Sequence, residues 1–221
     1  MTFAVPMTYF GLDNPKGTMT NSTKARSEFL ATLSSYGIDN LESYDGFQED
    51  PTLTFAGTSI TAQTDVDYVA EFAFFAVSGT KLLLDKGPAK VDGPAVPDVF
   101  TFSEPITAFG MYLVNGGDAT TANTITVTLL NTLLNTSKTV SLGTLGPRLG
   151  FNNTAFFGIT DTDPFNRIIW EESFDYDGIL FDDIIAGFVK PVPEPSSCIL
   201  LACAAAILYA ARWHRPTKKA R

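Results

Sequence analysis

The hydrophobic and polar positions of this 221-residue chain fall into three successive patterns. Near the beginning, "NSTKARSEFLATLSSYGI" places Ala25, Phe29, Leu33 and Tyr36 at helical spacing. Asn21 or Ser22 is the expected N-cap, and Gly37 suits the position just past the end. From about residue 50 the period shortens. Runs rich in Thr, Val, Ile and Phe occupy 53–56, 59–62, 66–77, 81–84, 99–102, 106–114, 124–130, 138–142, 155–159, 167–172 and 179–185, with Gly, Asn, Asp and Pro between them. Alternating rings such as Phe72, Phe74, Phe100 and Phe102 are expected in the core. Many short strands at this spacing predict a mainly β fold: an antiparallel two-sheet β-sandwich, jelly-roll-like, with one N-terminal helix.

The third pattern is different in kind. Cys198 to Ala211 carries no charge and no polar face. Those 14 residues reach about 21 Å as a helix. Extending the segment to 196–213 gives 18 residues and about 27 Å, near the thickness of a hydrocarbon core. Trp213 then sits at the interface and Arg212 snorkels toward water. Arg212, Arg215, Lys218, Lys219 and Arg221 follow at one end only, so the positive-inside bias predicts a single-pass membrane helix with the body outside. Ahead of the helix, Pro193 and Pro195 lack N–H groups and hold their neighbours extended. The expected division is a β-sandwich over 1–188, a Pro-rich linker over 189–195, a transmembrane helix over 196–213 and a basic cytoplasmic tail over 214–221.

Pro193-Glu194-Pro195, the short apolar helix and the basic end together resemble the bacterial PEP-CTERM sorting signal, here spanning 192–221. The resemblance implies handling by an exosortase-type processing enzyme at or near that motif. It also implies a protein of the cell envelope, or one released to the extracellular matrix, in a bacterium that makes extracellular polysaccharide. The body more loosely resembles the sandwich domains found ahead of such tails. The basic end departs from the pattern, since Trp213, His214 and Pro216 interrupt it. "MTFAVPMTYFGLDN" shows neither a basic n-region nor an apolar h-region, so export predicts a translation start upstream with its own signal peptide.

Charge separates the two parts of the chain. Up to Lys190 there are 10 basic and 23 acidic residues, a net of −13. Such a body repels phosphate backbones, which argues against nucleic acid as a partner. Chemistry is bounded by what the body lacks. Both cysteines, Cys198 and Cys203, lie in the apolar run, and His214, the one histidine, lies in the tail. Triads of Ser-His-Asp or Cys-His type are therefore out of reach, as are Cys/His zinc sites. No phosphate-cradling glycine motif is present. A carboxylate-pair hydrolase is the enzymatic alternative, but no spacing places two acids for it. A non-enzymatic protein is expected.

Acidic residues concentrate between Thr160 and Gly187. Asp161, Asp163, Asp182 and Asp183 are the candidate ligands for calcium, the one candidate cofactor; solvated surface acids are the plainer reading. In "ILFDDII" strict alternation puts Leu180, Asp182 and Ile184 on one face and Phe181, Asp183 and Ile185 on the other. One carboxylate then turns to the core and needs a partner: Arg167, Arg148, a pair of backbone N–H groups or a cation, with Arg167 favoured. Trp170 and Tyr176 are the candidate sugar-stacking rings. They frame the alternative function, a carbohydrate-binding module, with or without calcium, acting on extracellular polysaccharide.

Overall fold

The computed structural model describes residues 5–14, 17–85, 97–115, 123–145, 153–172 and 179–191. The chain divides into two compact units, Met1–Lys190 and Pro191–Arg221. The Pro193-Glu194-Pro195 motif, the expected membrane helix 196–213 and the basic residues from Arg212 to Arg221 lie outside the described residues. Among the described residues no helix is long and apolar enough to cross a membrane.

The body is mainly β. Its strands are β1 (Met7–Asp13), β2 (Leu33–Asp39), β3 (Gln48–Glu49), β4 (Thr52–Thr54), β5 (Thr61–Thr64), β6 (Tyr68–Glu71), β7 (Lys81–Leu84), β8 (Asp98–Val114), β9 (Asn123–Asn131), β10 (Thr136–Leu145), β11 (Thr154–Glu172) and β12 (Leu180–Val189). One helix, α1 (Thr20–Ala31), lies between β1 and β2. All strand pairs are antiparallel and belong to one 12-stranded network.

Two long strands make this network sandwich-like. The N-terminal half of β11 pairs with β1 on one side and with 108–114 of β8 on the other. Its C-terminal half pairs with β9 and with 98–101 of β8. Register breaks between Thr160 and Arg167 let β11 change layers. The expected strands 99–102 and 106–114 are thus one strand, as are 155–159 and 167–172. Between the layers lies the main core. Phe109, Met111 and Leu113 of β8, Phe157 and Ile159 of β11, and Phe181 and Ile184 of β12 face Phe100, Val127, Leu129, Ile168 and Trp170. Trp170 contacts Phe157 at 5.6 Å and Phe181 at 5.8 Å between ring centroids.

The residues between these inward positions point outward, and two covers lie over them. Helix α1 packs Ala25 and Phe29 onto Ala108, Tyr112, Phe156 and Ile185. Phe29 fits because Gly158 and Gly110 leave room: a Cβ on Gly158 would stand 2.7 Å from its ring and one on Gly110 3.0 Å away. Beside the helix, the segment joining β6 to β7 folds back over the sheet. Its Phe72, Phe75, Ala76 and Val77 pack with Leu82 and Leu84 of β7, Val114 and Leu180.

Four expectations change here. Leu33 and Tyr36 continue the helical spacing, yet the helix stops at Ala31 and both residues belong to β2, which pairs with β12. Gly37 is no helix cap; a Cβ there would come within 2.6 Å of the Phe55 backbone. Neither Asn21 nor Ser22 is the N-cap. The helix begins at Thr20 and is capped from outside by Asp13 on β1. Its carboxylate accepts the N–H groups of Asn21 (3.0 Å) and Ser22 (2.8 Å) and the Ser22 hydroxyl (2.7 Å). At the other end, β12 runs through Val189, and the Lys190 N–H is bound to the Thr32 carbonyl at 2.9 Å. The sheet thus continues into the first residue expected in the linker.

A candidate carbohydrate-binding face

The expected strand 66–77 ends early, and that ending exposes aromatic rings. β6 stops at Glu71, and the chain turns tightly, with the N–H groups of Phe75 and Ala76 bound to the Phe72 carbonyl at 2.8 and 3.2 Å. Phe75 enters the outer cluster, while Phe74 swings out and is 72% exposed. The two rings meet edge to face at 5.2 Å. Phe74 was expected in the core with Phe72, Phe100 and Phe102; of these, Phe100 and Phe102 are buried.

A second ring pair lies on the same side of the sheet. Phe47, 58% exposed, stacks on Tyr68 at 4.2 Å with a 35° tilt. Tyr68 is opposite Leu84 in the β6–β7 register, and Leu84 packs with Phe75 in the outer cluster. In an antiparallel sheet, directly opposed residues share a face. The outer face of this hairpin therefore carries Tyr68, stacked by Phe47, and the cluster that Phe75 joins, with Phe74 against the Phe75 ring.

Carboxylates hold the aromatic segment in place. Asp182, on β12, is completely buried. One oxygen accepts the N–H groups of Val77 (2.7 Å) and Ser78 (3.0 Å); the other accepts the N–H of Asp183 (2.7 Å). Asp183 accepts the Ser78 hydroxyl at 2.6 Å and lies 3.6 Å from the Arg26 guanidinium. On the far side of the turn, Glu42 accepts the N–H groups of Thr80 and Lys81, each at 2.7 Å. Burial pushes the Asp182 carboxyl up to about 7; the Ser78 N–H opposes that rise and the Asp183 charge adds to it.

The partner expected for this carboxylate is corrected. Arg167 does not reach it; the backbone N–H pair fills the role, and Arg148 lies outside the described residues. Strict alternation fails as well. β12 carries a bulge in which Asp183 and Ile184 oppose one residue of β8, with Asp183 in the left-handed region at φ 44°. The bulge reverses the expected faces beyond it: Ile184 turns inward and Ile185 turns out beneath the helix.

The other acids are dispersed. Asp161 and Asp163 both bind the Lys138 ammonium, at 2.6 and 2.8 Å, so an internal cation sits between them. They are not brought together with Asp182 and Asp183. Among the described residues no group of three or more acidic, His or Cys side chains is arranged to hold a metal. Asp98, at the start of β8, is buried; burial and the charges of Asp85, Glu172, Asp65 and Asp67 push its carboxyl up to about 9. Trp170, expected as a sugar-stacking ring, is a core residue at 1% exposure, its indole N–H bound to Glu172 at 2.9 Å. Tyr176 lies outside the described residues.

No family model and no curated protein matches this chain. Solved structures resemble it distantly. A family 22 xylan-binding module of Paenibacillus barcinonensis Xyn10C aligns at TM-score 0.39 and 10% identity, covering 72% of this chain and 96% of the module. The C-terminal family 22 carbohydrate-binding module of Clostridium thermocellum Xyn10B gives 0.38 and 12%, covering 73% and 97%. A mutant family 29 carbohydrate-binding module complexed with mannohexaose gives 0.35 and 12%, covering 71% and 98%. Likenesses this remote carry no chemistry across to this chain.

Phe47 and Phe74 are the residues that pattern reading passed over. Phe47 had a signal: in "YDGFQED" its immediate neighbours are glycine, polar and acidic residues. Phe74 had none, because "EFAFFAV" reads as a buried strand until the turn at Phe72 is known.

Proposed function

We propose that the body is a non-catalytic, polysaccharide-binding β-sandwich, exported and directed to the bacterial envelope or matrix by a PEP-CTERM-type tail. One observation carries the binding assignment: two aromatic ring pairs stand on one sheet face, with Phe74 72% and Phe47 58% exposed. A flat ring in water is a poor use of apolar surface unless something covers it. The C–H face of a pyranose does so, while its equatorial hydroxyls reach the polar groups around the rings. Glu49, directly opposite Tyr68, shares the face and supplies acceptors. The tail assignment is supported by Pro193-Glu194-Pro195, the uncharged run to Ala211 and the basic end, present in that order.

Affinity electrophoresis of the full chain through gels containing dissolved polysaccharides tests the binding reading. At least one glycan should retard the chain, and the double variant Phe47→Ala/Phe74→Ala should weaken that retardation roughly ten- to a hundredfold. Equal retardation of the variant and the parent sinks the assignment. The tail is tested by fractionating cells with and without the exosortase. Envelope or matrix location should be lost in its absence.

A further inference from the structure

The charge around the aromatic face is one-sided. Between Leu41 and Asp85 there are eight acidic residues and a single basic one, Lys81. Glu49 stands directly opposite Tyr68 in the β3–β6 pairing, so its carboxylate shares the face with the Phe47–Tyr68 stack. Asp45, Glu49 and Asp50 are exposed. Lys81 does not offset them. Its ammonium is turned onto the backbone carbonyls of Glu42 (3.1 Å) and Tyr44, and its own N–H serves Glu42. Arg26, on the neighbouring helix, is turned to Asp183 and lies 5.9 Å from the Tyr112 ring centroid.

We infer that the glycan taken by this face carries protonated amino groups, as a polymer of unacetylated amino sugar does; this rests on the polysaccharide-binding reading above. Three physical terms favour an ammonium here. The negative face of an aromatic ring attracts a cation placed over it. Glu49, beside the stacked pair, accepts a charge-assisted hydrogen bond from an ammonium. The acidic body, at a net −13 up to Lys190, draws a polycation toward it from a distance. The same field opposes a polyuronate or a sulfated glycan, since among the described residues the face presents carboxylates, and the Lys81 ammonium is taken up by backbone carbonyls. A neutral glycan gains the stacking but none of the charge.

Titration calorimetry on the full chain in detergent micelles separates these cases. Three oligomers of equal length serve as probes: glucosamine, its N-acetylated counterpart and galacturonate, at a pH below the amine's pKa. The glucosamine oligomer should bind about tenfold or more tighter than the N-acetylated one, and galacturonate should not bind. Salt near 1 M should shrink the gap, because it screens charge and leaves stacking. Glu49→Gln should narrow the gap, weakening the glucosamine oligomer about tenfold and the N-acetylated oligomer markedly less. Phe47→Ala/Phe74→Ala should weaken both. Equal affinity for the two amino-sugar oligomers overturns this inference and leaves the binding reading standing. Glucosamine binding that ignores the ring substitutions is bulk charge pairing and overturns it too. If none of the three binds, and no glycan retards the chain in the gels, the binding reading itself fails.

Discussion

Two covers lie side by side on the outer face of one sheet, and they are finished differently. Helix α1 drives Phe29 into a hollow floored by two glycines and leaves it 0% exposed. The β6–β7 segment buries Ala76 and half-buries Phe75, then turns Phe74 out into solvent. Each cover is tied down by a carboxylate from the sheet that accepts two consecutive backbone N–H groups: Asp13 for the helix, Asp182 for the segment. The same anchoring device thus serves a sealed cover and an open one. An anchored segment that still exposes its rings is held in the exposed state, which is what a binding surface needs and a packing element does not.

The strongest way to break this comparison is Phe29→Ala. If the helix is a sealing element, the cavity should cost about 3–5 kcal/mol and lower the melting temperature by roughly 10 °C. A loss near zero would mean that α1 is as dispensable to the core as Phe74.

The two anchors should also respond to pH with opposite sign. Burial opposes the Asp13 charge, but the hydrogen bonds from Ser22 and Asn21 outweigh it and hold the carboxyl below its usual range. Its contribution is present above the ordinary carboxylate range and is lost as pH falls through that range and below. Asp182 is the reverse. Raised to about 7 from an ordinary 3.8, it takes up a proton on folding, so stability declines as pH rises from about 4 through 7. The decline should amount to a few kcal/mol, on the order of 1.4 per pH unit at its steepest. Asp98, raised to about 9, extends the decline to higher pH. Urea melts across this range check the slope. Asp182→Asn should flatten it between about pH 4 and 7 and cost roughly 1–3 kcal/mol at pH 5, where the wild-type anchor is intact. An unchanged slope would remove Asp182 from the account.

The smallest effect sharpens the comparison most. Phe74→Ala should change stability by less than about 0.5 kcal/mol, because the ring is already in water. Thermal melts of this variant beside Phe29→Ala read the difference between the covers directly. A loss of 2 kcal/mol or more would show that Phe74 packs.

Much of this architecture could be read from the order of residues. The mainly antiparallel β fold, the single N-terminal helix and the strand at 81–84 follow from β-branched and aromatic runs broken by turn residues. The early helix was legible as far as Phe29 and then misled, because Leu33 and Tyr36 keep its spacing while β12 recruits them into a strand. β1 was not legible: "MTYFGLD" is short and half exposed, and it becomes a strand by pairing with β11, about 150 positions later. The candidate site was the least legible part. Sequence reasoning placed stacking rings at Trp170 and Tyr176; Trp170 is buried in the core, Tyr176 lies outside the described residues, and Phe47 and Phe74 are exposed.

By itself, then, the chain's order determined the class of fold, the absence of His and Cys chemistry from the body, the acidic charge of that body and the expectation of a sorted, membrane-spanning end. Those properties depend on composition and on local periodicity, which a linear string records in full. Tertiary structure alone decided which phenylalanines face water, which partner answers Asp182, and where β12 bulges to turn Ile184 inward. The Asp182 partner lies 105 residues away in the chain, the β12 bulge forms against a distant strand, and the turn that exposes Phe74 is held by that same Asp182. Hydrogen bonds and packing act through space, so no local pattern could have fixed them.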